Sequence, residues 1–203
     1  MELASDLAFT PAVKAQQERL GSRRSYARWE ETRGLEREIS DDLARFVAER
    51  DSFYLGTSSA EGQPYVQHRG GPKGFLKVLD ARTFAFADFS GNRQYISIGN
   101  LSENPRAFLF LMDYENAVRI KVWGTAEYVE DDPEILASLT DPGYGAKPER
   151  AIRFRVEAWD RNCRQHIPKL APEGDAETTR RLGERIAELE GEVRRLRGEA
   201  AAA

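Results

Sequence analysis

Alternation of apolar and polar side chains is the feature of this sequence that most constrains its fold. It runs through residues 118–123 (Val-Arg-Ile-Lys-Val-Trp) and residues 152–159 (Ile-Arg-Phe-Arg-Val-Glu-Ala-Trp). Because successive side chains of a β-strand point to opposite faces, this period of two predicts strands with one buried face. Residues 107–112 are apolar throughout, which predicts a strand buried on both faces. Further strand-like segments are predicted at residues 53–58, 64–69, 75–79 and 83–88. Many short antiparallel strands with one inserted helix indicate a mainly β (α+β) barrel.

The N-terminal residues 1–50 are polar and helix-prone. Pro11 is placed to open a helix that stops at Gly21. Ser40 is placed to cap a second helix, whose apolar face would pack on the β-rich part. We therefore expect an N-terminal helical segment (1–50) packed on a barrel domain (51–170).

The last segment, residues 174–203, predicts a separate amphipathic helix. Its apolar residues follow the 4, 3, 4, 3 spacing of a heptad seam: Leu182, Ile186, Leu189, Val193 and Leu196. Glycines within the segment each lower helix stability by about 1 kcal/mol relative to alanine, so an isolated helix is marginal. Two alternatives stay open, a helix that lies on the barrel and a short coiled coil through which the chain associates further.

Composition argues against several classes of function. The chain has 203 residues and a net charge of −4, which disfavours a dedicated binder of nucleic acid or anionic membranes. Cys163 is the only cysteine and His68 and His166 are the only histidines, so neither a disulfide framework nor a metal centre is expected. No apolar run approaches the roughly 20 residues of a membrane span, and the N-terminus lacks a signal-peptide pattern. We therefore expect a cytoplasmic protein without nucleic-acid or membrane partners.

A turn that leads into a helix N-terminus is the first candidate site. Asn92 and Arg93 follow Gly91 in this turn. Backbone N–H groups, a guanidinium and small polar side chains together suit a phosphate monoester. Ser97 and Asn100, three residues apart, would share one face of the helix. The alternative is that all four are ordinary turn and helix residues.

The end of an earlier strand supplies a second candidate group, formed by Gln67, His68, Arg69 and Gly70. Glycine at a strand end lets the backbone approach a flat ligand closely, and Arg69 adds positive charge. A solvated connection between strands is the alternative. Arg119 would become a second cation for the same phosphate if its strand lies beside the candidate helix.

The segment after the last predicted strand contains Cys163 and His166. A Cys–His nucleophile is disfavoured there, because neighbours in an irregular segment do not generally point at each other and no orienting acid is evident. His166 is expected to contact or gate a ligand instead. The residues identify no catalytic group.

Several short motifs occur in a fixed order along the chain. They are residues 53–57 (Phe-Tyr-Leu-Gly-Thr), 62–64 (Gly-Gln-Pro), 91–93 (Gly-Asn-Arg), 104–106 (Asn-Pro-Arg) and 119–126 (Arg-Ile-Lys-Val-Trp-Gly-Thr-Ala). As an ordered set they resemble the pyridoxamine 5'-phosphate oxidase-like family of FMN-binding split β-barrels, over residues 40–168. The resemblance implies a six-stranded antiparallel split barrel and a homodimer that holds FMN at the subunit interface.

The resemblance also assigns expected roles to the candidate residues. It places the flavin ring against the strand that contains Gln67, His68, Arg69 and Gly70. It places the phosphate at the turn and helix, against Asn92, Arg93, Ser97 and Asn100, with the strand of Arg119 alongside. The C-terminal substrate signature of pyridoxamine phosphate oxidases is matched only in its first part, so the resemblance does not extend to vitamin B6 as substrate.

The function expected from these observations is an FMN-dependent oxidoreductase with a small-molecule substrate that the sequence does not name. One alternative is a flavin- or haem-binding module without turnover, whose coiled-coil tail recruits a partner. Another is a reductase that uses the deazaflavin F420, because related split barrels bind it.

Overall fold

The computed structural model describes residues 3–162, 164–168, 170 and 176–200. Cys163 therefore lies outside the described residues. The chain forms two units. One comprises Met1–Asp113 and Val118–Gln165, and the other comprises Tyr114–Ala117 and His166–Ala203.

Seven strands form one antiparallel sheet within the described residues. They are β1 (Ser52–Ser58), β2 (Pro64–Gly70), β3 (Lys77–Asp80), β4 (Thr83–Phe89), β5 (Arg106–Asp113), β6 (Val118–Val129) and β7 (Pro148–Arg161). Their order in the sheet is β2-β1-β5-β6-β7-β4-β3. This confirms the predicted antiparallel β architecture with one strand more than the six expected, since the short β3 pairs with β4 at the sheet edge.

Six α-helices accompany the sheet in the described parts of the chain. They are α1 (Pro11–Arg19), α2 (Arg23–Thr32), α3 (Asp41–Ala48), α4 (Ile96–Glu103), α5 (Pro133–Leu139) and α6 (Ala176–Ala200), preceded by a 3₁₀ turn at Ala4–Leu7. None of these helices combines the length and the apolar character that crossing a bilayer requires.

The helix boundaries predicted near the N-terminus are confirmed. Pro11 opens α1, and Gly21 follows its end with φ of +78°. The hydroxyl of Ser40 accepts a hydrogen bond from the backbone N–H of Leu43 at 3.2 Å, which caps α3. Helix α2 lies in a segment for which the sequence predicted no separate element.

The N-terminal segment is fixed to the sheet through β7. Glu36 and Trp159 exchange two backbone hydrogen bonds, at 3.1 and 2.8 Å. The indole Nε1 of Trp159 donates to the carbonyl oxygen of Glu38 at 2.8 Å. Inside the sheet, the core is built around fully buried aromatic side chains: Phe53, Phe84, Phe86 and Phe154.

The prediction that the strand at residues 107–112 is buried on both faces is wrong. Along β5, fully buried residues alternate with residues of intermediate exposure. Leu109 and Leu111 are buried, whereas Phe108 and Phe110 lie on the outer face of the sheet. An uninterrupted apolar run does not distinguish a doubly buried strand from one with an apolar outer face.

The curled sheet leaves an open seam between β2 and β4. These strands have four others between them in the hydrogen-bonding order, and no backbone pairing joins them in the described part of the chain. Side chains span the gap instead. Arg69 of β2 forms a salt bridge with Asp88 of β4, and the rings of Phe53 and Phe86 meet edge to face at 5.0 Å. Helix α4 packs on β1, β2 and β6.

Gly124 should be intolerant of a side chain. It lies where the β6–β7 register shifts, and a Cβ atom there would come within 2.0 Å of the carbonyl oxygen of Arg155. We expect Gly124→Ala to lower the free energy of unfolding by about 3 kcal/mol, because the packed β7 backbone must move. Gly99→Ala, in the middle of α4 with no atom within 4 Å of the new Cβ, is the control and should raise it by up to about 1 kcal/mol. Urea denaturation followed by circular dichroism measures both, and equal stability of the two variants would contradict the packing argument.

Candidate functional site

A cleft of about 220 Å³ lies at the seam between β2 and β4. The N-terminal end of α4 and the turn before it form one wall. The described residues that line it are Gln67, Arg69, Asp88, Phe89, Gly91, Asn92, Arg93, Tyr95, Ser97, Ile98 and Glu149. The cleft thus brings together Gln67 and Arg69 from one sequence-predicted group with Asn92, Arg93 and Ser97 from the other.

The turn before α4 has an unusual backbone. Arg93 and Tyr95 have positive φ angles of 61° and 54°, which is uncommon for residues with a side chain and recurs at functional sites. The Nε of Arg93 donates a hydrogen bond to the Tyr95 hydroxyl at 3.2 Å. This bond, with the nearby Glu149 carboxylate, raises the pKa of the Arg93 guanidinium above its ordinary value. Asn92 accepts from the backbone N–H of Gln94 at 3.2 Å, which stabilises the turn.

The first turn of α4 is tied to β2. Ser97 is buried, and its hydroxyl donates to Oε1 of Gln67 at 2.7 Å. Asn100 points toward the sheet as expected for a residue three positions on, but it donates to the hydroxyl of Thr57 at 3.0 Å. Asn100 is not among the described residues that line the cleft. Of the two helix candidates, Ser97 lies at the cleft and Asn100 joins α4 to β1.

The period of two divides the four consecutive candidates on β2. Gln67 and Arg69 face the cleft. His68 is exposed on the other face, where its ring meets that of Tyr54 edge to face at 5.6 Å. Gly70 lies near the His68 imidazole, which a Cβ atom on the glycine would approach to 3.3 Å. One bound molecule reaches all four residues only by extending around the strand.

An ion cluster forms the floor of the cleft. The buried Asp88 contacts two guanidiniums, those of Arg69 and Arg150, the latter at 3.2 Å. Arg150 also contacts Glu130 at 2.9 Å and Glu149 at 3.4 Å, and lies over the ring of Tyr95 at 5.3 Å.

The electrostatics of this cluster are balanced rather than purely cationic. Burial lowers the pKa of Arg150, but the charge of Asp88 and the contacts with Glu130 and Glu149 outweigh it and raise the pKa overall. The Nε of Arg69 is buried and has no hydrogen-bond partner within the described residues. A buried donor of this kind is costly to leave unmet, so an oxygen-rich ligand would satisfy it.

Sequence reasoning missed Asp88, Glu149, Arg150 and Tyr95 as members of the site. Asp88 and Arg150 are opposite each other in the β4–β7 register. The available signal was a charged residue at the end of a strand that is otherwise apolar, followed 62 positions later by an arginine at the start of another strand. Neither residue indicates its partner until the strand pairing is known.

Two further sequence candidates, Arg119 and His166, are also absent from the described residues that line the cleft. Arg119 is near the start of β6, opposite Met112 of β5, and its backbone carbonyl accepts from the N–H of Asn162 at 3.0 Å. The side-chain oxygen of Asn162, in the amide orientation that satisfies both groups, accepts from Nε and Nη2 of Arg119 at 2.6 Å. His166 is exposed, has a φ of +60°, and belongs to the second unit.

The curled antiparallel sheet, open at one seam that carries the cleft, defines a split β-barrel protein. A family model described as pyridoxamine 5'-phosphate oxidase matches residues 39–163, more than half of the chain. The chain therefore belongs to the pyridoxamine 5'-phosphate oxidase family, as its motifs suggested.

Several solved structures are similar to this chain at low sequence identity. HupZ from Group A Streptococcus is 17% identical with a TM-score of 0.50, over 65% of this chain and 99% of that chain. A putative pyridoxamine 5'-phosphate oxidase from Lactobacillus delbrueckii is 20% identical with a TM-score of 0.47, over 62% and 95%. An FMN-binding protein from Syntrophomonas wolfei is 14% identical with a TM-score of 0.45, over 61% and 90%. No curated protein matches the sequence.

Neutralising Asp88 should make the site dependent on an added anion. Its side chain is 7% exposed and those of Arg69 and Arg150 are each 11% exposed. Asp88→Asn leaves two poorly solvated guanidiniums without their shared carboxylate, which should lower the free energy of unfolding by about 3 kcal/mol. Inorganic phosphate should then raise the melting temperature of the variant more than that of the wild type, at matched ionic strength.

The control for this experiment is Asp42→Asn. Asp42 also pairs with an arginine, but its side chain is 87% exposed, so its loss should be nearly neutral. An Asp88→Asn protein as stable as Asp42→Asn would contradict the assignment of Asp88 to the closure of the seam.

Proposed function

We propose that the cleft binds the phosphate end of FMN and that the protein is an FMN-dependent oxidoreductase. The observation that carries this proposal is the convergence of the Arg93 turn, the buried Ser97 at the start of α4 and the Arg69 side chain on one cleft. Membership of the pyridoxamine 5'-phosphate oxidase family supports the cofactor class. Bound flavin would supply two-electron chemistry, and the protein would orient it.

The residues present fit a phosphate monoester. Arg93 is exposed on the cleft wall, and its guanidinium is positively charged at neutral pH as arginine always is. Ser97 lies in the first turn of α4, where backbone N–H groups and the helix dipole favour an anion. Asn92 adds a short amide side chain at the same wall. Glu149 and Asp88 oppose an anion, so the net attraction depends on the hydrogen-bond donors as well as on charge.

The cleft of one chain is small for the whole cofactor. Ligand pockets usually measure about 300–1,000 Å³, whereas this cleft measures about 220 Å³. We propose that a second copy of the chain completes the site. A homodimer with the cofactor at its interface gives the isoalloxazine ring a second wall.

The outer face of the sheet offers a surface for that second copy. Phe108 contacts Trp123 at 5.2 Å and Phe110 at 6.4 Å between ring centroids. Tyr54 lies opposite Phe110 in the β1–β5 register. All four aromatic residues have intermediate exposure on the face that points away from the core. Clusters of half-exposed aromatic side chains are typical of protein interfaces.

The phosphate-site proposal predicts that the protein distinguishes FMN from riboflavin. We expect purified protein to carry FMN or to take it up, and Arg93→Gln to weaken FMN binding by about ten-fold through loss of one charge-assisted contact. Riboflavin binding should not change, because riboflavin lacks the phosphate. Fluorescence titration measures both affinities. Arg45→Gln, which removes an exposed arginine paired on α3, is the matched control and should bind FMN normally.

The cofactor released by denaturation tests the proposal independently. An absorption spectrum and mass that correspond to F420 or haem would replace FMN as the cofactor. A protein that contains no flavin and does not take up FMN would overturn the proposal. If the protein binds FMN but no enzymatic electron donor reduces it, the protein is a binding module without turnover.

The shared-site proposal predicts that the outer aromatic face is required for cofactor binding. Phe110→Glu places a charge among half-exposed aromatic residues and should lower FMN affinity at least about ten-fold, because an unpaired charge in an interface is costly. Leu20→Glu is the control, since Leu20 is 69% exposed at the end of α1 and should tolerate a charge. Isothermal titration with FMN measures the effect, and normal binding by Phe110→Glu would contradict a site completed across this face.

A further inference from the structure

Helix α6 carries an exposed apolar stripe. Four residues along one side of the helix are 43–59% exposed: Leu182, Ile186, Leu189 and Val193. An exposed apolar stripe along one side of a helix is the pattern of a surface that pairs with another helix.

The order of residue types within the stripe is informative. Heptad positions a carry β-branched residues and positions d carry leucine, with Thr179, Ile186 and Val193 at a and Leu182, Leu189 and Leu196 at d. β-Branched residues at a with leucine at d favour two parallel strands over other coiled-coil states. The glycines at 183 and 191 occupy positions e and f, so they leave the a/d seam intact.

Charges beside the stripe favour a parallel orientation of the two helices. In a parallel coiled coil, position g of one helix faces position e of the next heptad on the other. Arg185 at g would then face Glu190 at e, and the sequence repeats the complementarity with Glu192 at g and Arg197 at e. Each ionised g–e′ contact in this register joins opposite charges.

We propose that α6 pairs with α6 of a second copy of this chain as a parallel, in-register, two-stranded coiled coil. Alone, the 25-residue helix is marginal because its interior contains glycines. Arg185 forms a salt bridge with Glu188 of its own helix at 2.6 Å, and both side chains are at least 60% exposed. Replacing this exposed salt bridge by one with the partner helix therefore costs little free energy. This association is separate from the barrel contact proposed above and does not depend on it.

Disulfide trapping in the full chain tests both the partner and the orientation. In a Cys163→Ala background, Leu182→Cys places a thiol at position d, where it meets its own counterpart only in a parallel in-register pair. Mild oxidation should convert most of this variant to a covalent dimer. Glu184→Cys, at the outward position f, is the control and should remain largely uncrosslinked. Absence of crosslinking at position 182, or equal crosslinking at 182 and 184, would overturn the proposal.

A charge exchange keeps the apolar seam intact and tests the register. Adding Arg185→Glu or Glu190→Arg to the Leu182→Cys variant should weaken the association by about ten-fold, because like charges then face each other at two symmetric positions. The Arg185→Glu/Glu190→Arg double variant should restore the crosslinking yield. In an antiparallel pair these two residues do not face each other, so failure of the double variant to recover would refute the parallel register.

These results are independent of the cofactor experiments. Crosslinking without FMN uptake would support the tail pairing and reject the proposed function. FMN uptake without crosslinking would support the proposed function and reject the tail pairing.

Discussion

The structure of the barrel depends on one carboxylate between two guanidiniums. No backbone hydrogen bonds join β2 and β4 in the described residues, so side chains must bridge the gap between these strands. Asp88 does this with Arg69 from β2, while Arg150 holds the same carboxylate from β7. A backbone ladder at this seam would have filled the space that the cleft occupies. The ion cluster therefore joins β2 to β4 and leaves the space between these strands open as the cleft.

A buried ion cluster is weak evidence for a large gain in stability, because desolvation offsets most of the attraction between the charges. Its role here is to hold particular side chains in fixed positions. Arg69 is held so that its Nε remains unmet, and Arg150 is held over Tyr95 in the strained turn that also positions Arg93. A ligand with anionic oxygens would meet donors that are already oriented, which reduces the entropy lost on binding. The opposing acids limit how much of that affinity comes from charge alone.

The sequence predicted those parts of the fold whose causes are local. The period of two in β6 and β7, the Ser40 cap and the Pro11 helix start are each readable within a few residues. The cleft was predictable in part, since the turn and the first residues of α4 already suggested an anion site. Asp88 and Arg150 were not readable, because their meeting depends on a strand pairing across 62 residues. The outer face of β5 was missed because an apolar run carries no periodicity to show which side is covered.

The two proposed contacts between copies of the chain also differ in whether their cause is local in the sequence. A heptad specifies partner, orientation and register within one helix, so the Leu, Ile and Val order of α6 can be interpreted without any tertiary information. The aromatic face of the barrel is assembled from β1, β5 and β6, and no single strand reveals it. A short coiled coil is weak alone, but in the proposed homodimer two tails tethered to associated barrels would meet at a high effective concentration. The tail then needs little intrinsic affinity, which is consistent with a helix that tolerates glycines outside its seam.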